Sequence, residues 1–210
     1  MAAAEPLVLG TTNAGKLREL AALLTPLGIP CCSLAGFSAA VDVEETGSSF
    51  AENAALKAAQ QARALGRWVL AEDSGLVVDA LGGEPGIYSA RFSGADATDA
   101  RNNALLLERL AAHPAAARTA HYACHAALSD PAGNIAAISS GVCGGVIAHS
   151  PQGTSGFGYD PLFIVPEYQR TFGELTPVVK AVISHRARAM RAIIPAIVHR
   201  LLPHSPPVDG

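Results

Sequence analysis

Charge is what this chain has least of. Only 16% of its 210 residues are charged and 50% are apolar, whereas a soluble domain usually carries about 25% charged residues. Such a chain can bury a large core. No stretch of 18 or more strongly apolar residues occurs, and no basic segment precedes an apolar one at the N-terminus, so neither a membrane span nor a signal peptide is expected. No Pro/Ser-rich linker or charge run divides the interior. One domain with two lobes is expected over residues 6–202, with residues 1–5 and 203–210 as tails. The four cysteines, at 31, 32, 124 and 143, show no C-x-x-C spacing and adjoin apolar residues. They read as small buried hydrophobes of a cytoplasmic protein in a reducing compartment. A net charge of −3 and a pI near 6.1 leave no basic face for nucleic acid. Any anionic ligand must then be held by a local cluster of donors and metal.

Alanine is so abundant that helical periodicity must be read from larger residues. "PLVLGTT" reads as a short buried strand. "GKLRELAALLTPLG" after it carries Leu17, Leu20, Leu23 and Leu24 at helical spacing. A second helix opens with Ser49 and Glu52 in capping-box spacing and closes on Gly66. Strands over 68–71 and 76–79 flank "EDSG". A third helix follows Asp96 or Thr98 and ends before Pro114. The apolar runs on either side of "DPAGN", Asp130–Asn134, predict an antiparallel hairpin. His121 and His125 would pair on a metal only in a helix; in a strand they stand about 13 Å apart and serve structure. The last helix puts Met190, Ile193, Ile194, Ile197, Val198 and Leu201 on one stripe, and Pro195 inside it predicts a kink or break.

Five segments look chemical. Glu72-Asp73-Ser74-Gly75 sets two adjacent carboxylates between apolar runs, which is either a tight exposed turn or a site, because buried carboxylates need a partner or a cation. "LGTTNAGKL" nearly matches the phosphate-binding G-x-x-x-x-G-K-[ST] through Gly10, Gly15 and Lys16. Position 17, however, is Leu where a P-loop holds magnesium by Ser or Thr, so metal must sit elsewhere. "VDVEETGSSF" offers Glu44 and Glu45 before a helix start, where acids also occur for dipole reasons alone. With Glu72 and Asp73 they supply oxygens enough for magnesium. Lys57, in the helix that follows, reads equally as a phosphate contact or a solvated face. "SGFGYDPLF" suits a planar ligand, with rings to stack on, glycines for close approach and Asp160 to accept from a ring N–H, or else it is a glycine loop with an aromatic anchor. "VVKAVISHRARA" places Lys180 before Ser184, a cap that would put His185 and Arg186 in a helix first turn, where cations need an anionic ligand or a carboxylate to compensate them.

Taken in this order, and with "GGEPGIYSARFSG" and "TFGEL", these segments resemble the inosine triphosphate pyrophosphatase family, the Ham1-like enzymes, from about Leu7 to Leu202. The resemblance implies an α/β fold, an elongated mixed β-sheet flanked by helices, with two lobes and the active-site cleft between them. It implies magnesium-dependent hydrolysis of ITP, dITP and XTP to the monophosphate and pyrophosphate, clearing the nucleotide pool, by a cytosolic homodimer. By position, Thr11, Thr12, Asn13, Ala14, Gly15 and Lys16 would bind the triphosphate, with Ser74 a substrate contact. Asp73 would be proton acceptor and magnesium ligand, and Glu44 the other metal-site acid. Phe157, Gly158, Tyr159, Asp160, Lys180, His185 and Arg186 would contact the nucleobase and phosphates. A water would attack the α-phosphorus while Lys16, Lys57 and metal neutralise the leaving pyrophosphate. Arg186 and Asp160 would suit the O6 acceptor and N1 donor of a 6-oxo purine. Pro177-Val178-Val179, where many relatives carry acids, and Pro195 depart from the family pattern. A P-loop kinase is opposed by Leu17, and a Maf-like pyrophosphatase by "FGYD" and "SHR". A catalytically silent nucleotide-binding module is the alternative outside the enzymes.

Overall fold

The computed structural model describes residues 5–113 and 118–201. Pro114, the tail residues 1–4 and everything from Leu202 onward lie outside the described residues. Glu5, placed in the tail by sequence, is described and pairs with Arg67 at 3.0 Å.

One seven-stranded mixed sheet organises the chain, in the order β2-β1-β3-β4-β5-β6-β7. Its first half is a parallel pair of crossovers. Strand β1 (Leu7–Leu9) lies between β2 (Cys31–Ser33) and β3 (Val69–Val78), and each return is made through a helix, α1 (Ala14–Leu24) and α2 (Phe50–Leu65). After β3 come α3 (Asp99–Leu110) and the antiparallel hairpin of β4 (Thr119–Ser129) and β5 (Ile135–Ile147). Asp130 closes that hairpin by accepting the backbone N–H of Ala132 and Asn134, as the turn residues predict. His121 and His125 both stand on β4, so the strand reading holds. Short strands β6 (Phe163–Val165) and β7 (Arg170–Thr171) finish the sheet, and α4 (Pro177–Ile183) and α5 (His185–Leu201) complete the chain.

Two apolar clusters flank the middle of the sheet. One packs α1 and α5 on β1, β3 and β4 through Leu20, Leu24, Met190, Ile193 and Ile197. The other gathers α3 with β4 to β7 around Tyr122, Phe163 and Phe172. Pro195 does not end α5, which runs continuously to Leu201. Its ring is on the exposed side, where water can satisfy the carbonyl of Arg191 that loses its helical partner.

The largest departure from expectation is β3. Residues 72–75 are not a turn between two strands: one ten-residue strand runs through them, in unbroken register with β4. Gly75 is there for space, since a Cβ would fall 2.5 Å from the Gly86 carbonyl oxygen and closer still to Ser89 Oγ. That hydroxyl accepts from Leu76 N at 2.8 Å and donates to Gly86 O at 2.6 Å. Gly75→Ala must push this turn off the strand edge. Urea denaturation is expected to show a loss of about 1–3 kcal/mol, whereas Gly36→Ala, with open space around it, should stay near wild type.

Candidate active site

Strand β1 stops at Leu9, opposite Leu70, while β3 runs on to Val78. The strand edge beyond Leu70 is therefore open at residues 71–75, and there the charged residues converge. Alternation along a strand explains the adjacent carboxylates: Glu72 and Asp73 point to opposite faces and meet different helices.

Asp73 faces α2. Asn53 Nδ2 donates to Asp73 Oδ2 at 3.3 Å and Lys57 Nζ to Oδ1 at 3.0 Å; positions 53 and 57 are one turn apart on one helix face. Lys57 also donates to Glu45 Oε1 at 2.7 Å, and Glu45 Oε2 accepts from Arg91 at 3.1 Å. The helix is fixed by its cap, with Glu52 N donating to Ser49 Oγ at 3.2 Å. Its partner arm is displaced by one residue, the Glu52 carboxylate accepting from Ser48 N at 2.7 Å. Burial raises the pKa of Asp73, and the attraction of Lys57 and Lys16 offsets this only in part. A carboxylate in that condition is a stronger proton acceptor than one in water.

Glu72 faces α1 and α5 and is 1% exposed. Lys16 Nζ lies 2.9 Å and Arg186 Nη2 3.2 Å from its Oε1, and the Cys124 thiol donates to Oε2 at 3.1 Å. Burial raises its pKa, but Arg186 and Lys16 outweigh burial and hold it well below the carboxylate range. Glu72 is thus a permanent anion consumed by two cations. Arg186 also donates to Ser74 Oγ at 2.9 Å and pairs with Glu19 of α1. Glu19 in turn holds Lys180 at 2.7 Å, which donates to Asp160 at 2.5 Å. Carboxylates therefore compensate Arg186. His185 has no such partner: burial, then Arg186, drive its pKa well below the usual imidazole value, so it sits neutral against the Tyr122 ring at 4.6 Å.

The sequence assignments sort accordingly. A charged cavity of about 220 Å³ is lined by Asn13, Lys16, Glu45, Asp73, Ser74, Phe157, Lys180, His185 and Arg186, among others. Asn13 caps α1, accepting from Lys16 N at 3.0 Å. Thr11 and Thr12 belong to the approach to that helix and Ala14 is its first residue, and none of the three lines the cavity. The P-loop likeness is superficial, because both glycines serve contact: a Cβ on Gly10 would meet Ala71 Cβ at 2.9 Å, and one on Gly15 the Phe157 ring at 2.6 Å. Glu44 is exposed and outside the cavity lining; its neighbour Glu45 is the acid that joins Lys57 and Asp73. Asp160 lines the cavity but is 1% exposed, and its carboxylate already accepts from Phe157 N at 2.9 Å and from Lys180. Tyr159 is likewise a core residue whose hydroxyl donates to Ser89 O at 2.8 Å. Of the loop's aromatics only the Phe157 ring faces both cavities, with Lys180 Nζ 4.7 Å from its centroid. Pro177 is the first residue of α4 behind the Thr176 cap, a place proline fits, and Lys180 reaches the site from that helix.

Behind Phe157 lies a second, largely apolar cavity of about 470 Å³, bounded by Gly15, Glu19, Ala22, Leu23, Leu175, Lys180 and Ser184. Glu19 was not singled out in the sequence. Its signal was its place one turn after Lys16 on the face of α1 that meets the site. Among the described residues no group of three or more His, Cys, Asp and Glu is placed to hold a metal ion by protein ligands alone.

Comparison with known proteins matches residues 7–196 to the Ham1 family. The chain is 52% identical over 192 residues to the dITP/XTP pyrophosphatase of Rhodopirellula baltica, covering 91% of this chain and 92% of that one. It is 52% identical over 184 residues to the enzyme of the same name from Geobacillus kaustophilus, covering 88% and 90%. Among solved structures, the HAM1 protein of Coxiella burnetii superposes with a TM-score of 0.83 at 41% identity, covering 92% of this chain and 98% of that one.

Proposed function

The chain belongs to the Ham1 family, and from that premise we propose that it hydrolyses noncanonical purine nucleoside triphosphates, ITP, dITP and XTP, to the monophosphate and pyrophosphate. The observation that carries this reading is the meeting of two unlike cavities at one aromatic ring. On one side of Phe157 lie Asp73, Lys16 and the N-terminus of α1, suited to a triphosphate. On the other is an apolar space sized for a purine, with Lys180 at its edge.

Asp73, held by Asn53 and Lys57, takes the proton of the water that attacks the α-phosphorus. Lys16 and Lys57 face the charge that develops on the departing pyrophosphate. Lys180 donates to two carboxylates and keeps a third N–H for the O6 acceptor of a 6-oxo purine. The amine of adenine would set donor against donor there, and a site built on such hydrogen bonds rejects the mismatch by about 10⁴-fold.

Magnesium fits the donor set. Asp73 and Glu45 line one cavity and would be its oxygen ligands, since this ion needs only one or two carboxylates besides water and substrate phosphates. Bound there it would add positive charge against the triphosphate. A cytoplasmic site of action accords with four free thiols. A homodimer is supported by Ile138 and Val142, 73% and 48% exposed on one face of β5.

The test is incubation of the protein with ITP, XTP, GTP and ATP, with and without magnesium, assaying pyrophosphate separately from orthophosphate. IMP or XMP with pyrophosphate, and slow turnover of ATP, is the expected result. Orthophosphate with a diphosphate product would overturn it, and so would binding without turnover.

A further inference from the structure

Two neighbouring asparagines on α3, Asn102 and Asn103, are buried at 3% and 8% exposure, and nothing in the reaction as described uses them. Asn102 fastens the turn before α3: its amide nitrogen donates to the Ser89 and Ala90 carbonyls at 3.3 and 3.2 Å, and its oxygen accepts from Ser93 N at 2.9 Å. Asn103 does something different. Its Nδ2 donates to the Gly158 carbonyl at 3.0 Å, while Asp99, one turn earlier, accepts from Gly158 N at 2.6 Å. One residue is thus gripped at both its polar backbone atoms by one helix face. Gly158 has φ +62, a left-handed conformation that only such a grip or a rigid turn holds in one place. The residue before it is Phe157, whose own N–H is tied to Asp160. The Phe157 backbone is therefore held on both sides, with its ring close to Gly15 and to Lys180.

Among the described residues Asn103 Oδ1 is buried without a partner. A buried acceptor left unpaired is unfavourable and offsets part of what the bond to the Gly158 carbonyl contributes, so an apolar residue of similar size should change stability little. Stability alone does not explain an asparagine at this position; the donor to Gly158 does.

We propose that Asp99 and Asn103 are positioning residues for substrate selection, setting the Phe157 ring where a purine stacks; this rests on the reading of Phe157 as the nucleobase platform. Asn103 lines neither cavity and acts through Phe157, whereas Asp99 also borders the charged cavity.

Asn103→Leu is expected to raise KM for ITP about tenfold with kcat within about threefold, because a displaced ring forfeits part of a stacking contact, while the thermal midpoint moves little. Asp99→Ala, at an exposed position, should raise KM in the same direction even if Asn103→Leu were to fold poorly. In a Phe157→Ala background Asn103→Leu should not change KM further, since effects through a shared residue do not add. An unchanged KM in both single variants, or an equal rise in the Phe157→Ala background, would overturn the proposal. Failure of the wild-type protein to hydrolyse ITP would instead remove the functional reading itself, so the two failures are told apart by the wild-type control.

Discussion

Replacing Asp73 by asparagine is expected to lower kcat for ITP by about 10²–10⁴-fold, the range of a positioned general base, with the fold intact. Asparagine has the same shape and can still accept from Lys57 through its oxygen, although its NH2 then replaces the oxygen that accepts from Asn53. What it cannot do is take a proton. The stability of the variant supplies an independent check. Burial raises the pKa of Asp73 in the folded protein, so ionising it opposes folding. A carboxyl with a raised folded pKa contributes stability below its unfolded value, about 3.9, and loses that contribution as the pH climbs through the folded value. Measured in EDTA, the stability of wild type relative to Asp73→Asn should therefore fall as the pH rises from below 4 toward neutrality. A flat difference would mean that Asp73 carries no unfavourable burial, and an unchanged kcat would move the proton acceptor elsewhere, with Glu45 the next candidate.

Helices α1, α2, α3 and α5, though not the short α4, were legible in the sequence because their ends carry their own signals. Ser49 and Gly66 cap α2 and Thr98 caps α3 through contacts within a few residues. The hairpin was legible for the same reason, Asp130 closing its own turn. The misreadings share a different property. Residues 72–75 resemble a turn because their polarity is satisfied from far along the chain, by Lys16, Lys57 and Arg186. No local pattern announces that. Glu44 and Glu45 are adjacent acids in one loop, and which of them turns inward depends on where α2 holds Lys57 and the 86–91 turn holds Arg91. Asp160 was expected to offer its carboxylate to a ligand, yet it is spent on its own loop and Lys180, an arrangement that only the approach of α4 creates. Strands β2 and β7, three and two residues long, are too short to show a period.

Arg186 is where the electrostatics of this site are most exposed to test. Its side chain is 2% exposed and serves Glu19, Glu72 and Ser74 together. Glu72 and Glu19 raise its pKa against the lowering effect of burial, so it is charged at every working pH. Arg186→Met keeps much of the volume and removes the charge, leaving buried Glu72 with Lys16 and the Cys124 thiol. Removing one partner of a buried pair costs about 3–5 kcal/mol, because the other charge stays behind, and a loss of unfolding free energy of that size in urea denaturation is the expected result at neutral pH. The sign with pH follows from Glu72. Its folded pKa is depressed, so its contribution is present above the unfolded value, about 4.3, and is lost as the pH falls through the folded one. The gap between wild type and variant should therefore narrow in acid, as Glu72 becomes free to protonate in the variant. Adding Glu19→Gln should recover part of the loss, since Glu19 then no longer needs a second cation beside Lys180. Full additivity of the two substitutions would show that Glu19 and Arg186 are not coupled, and would separate the α1 wall from the α5 wall of the cleft.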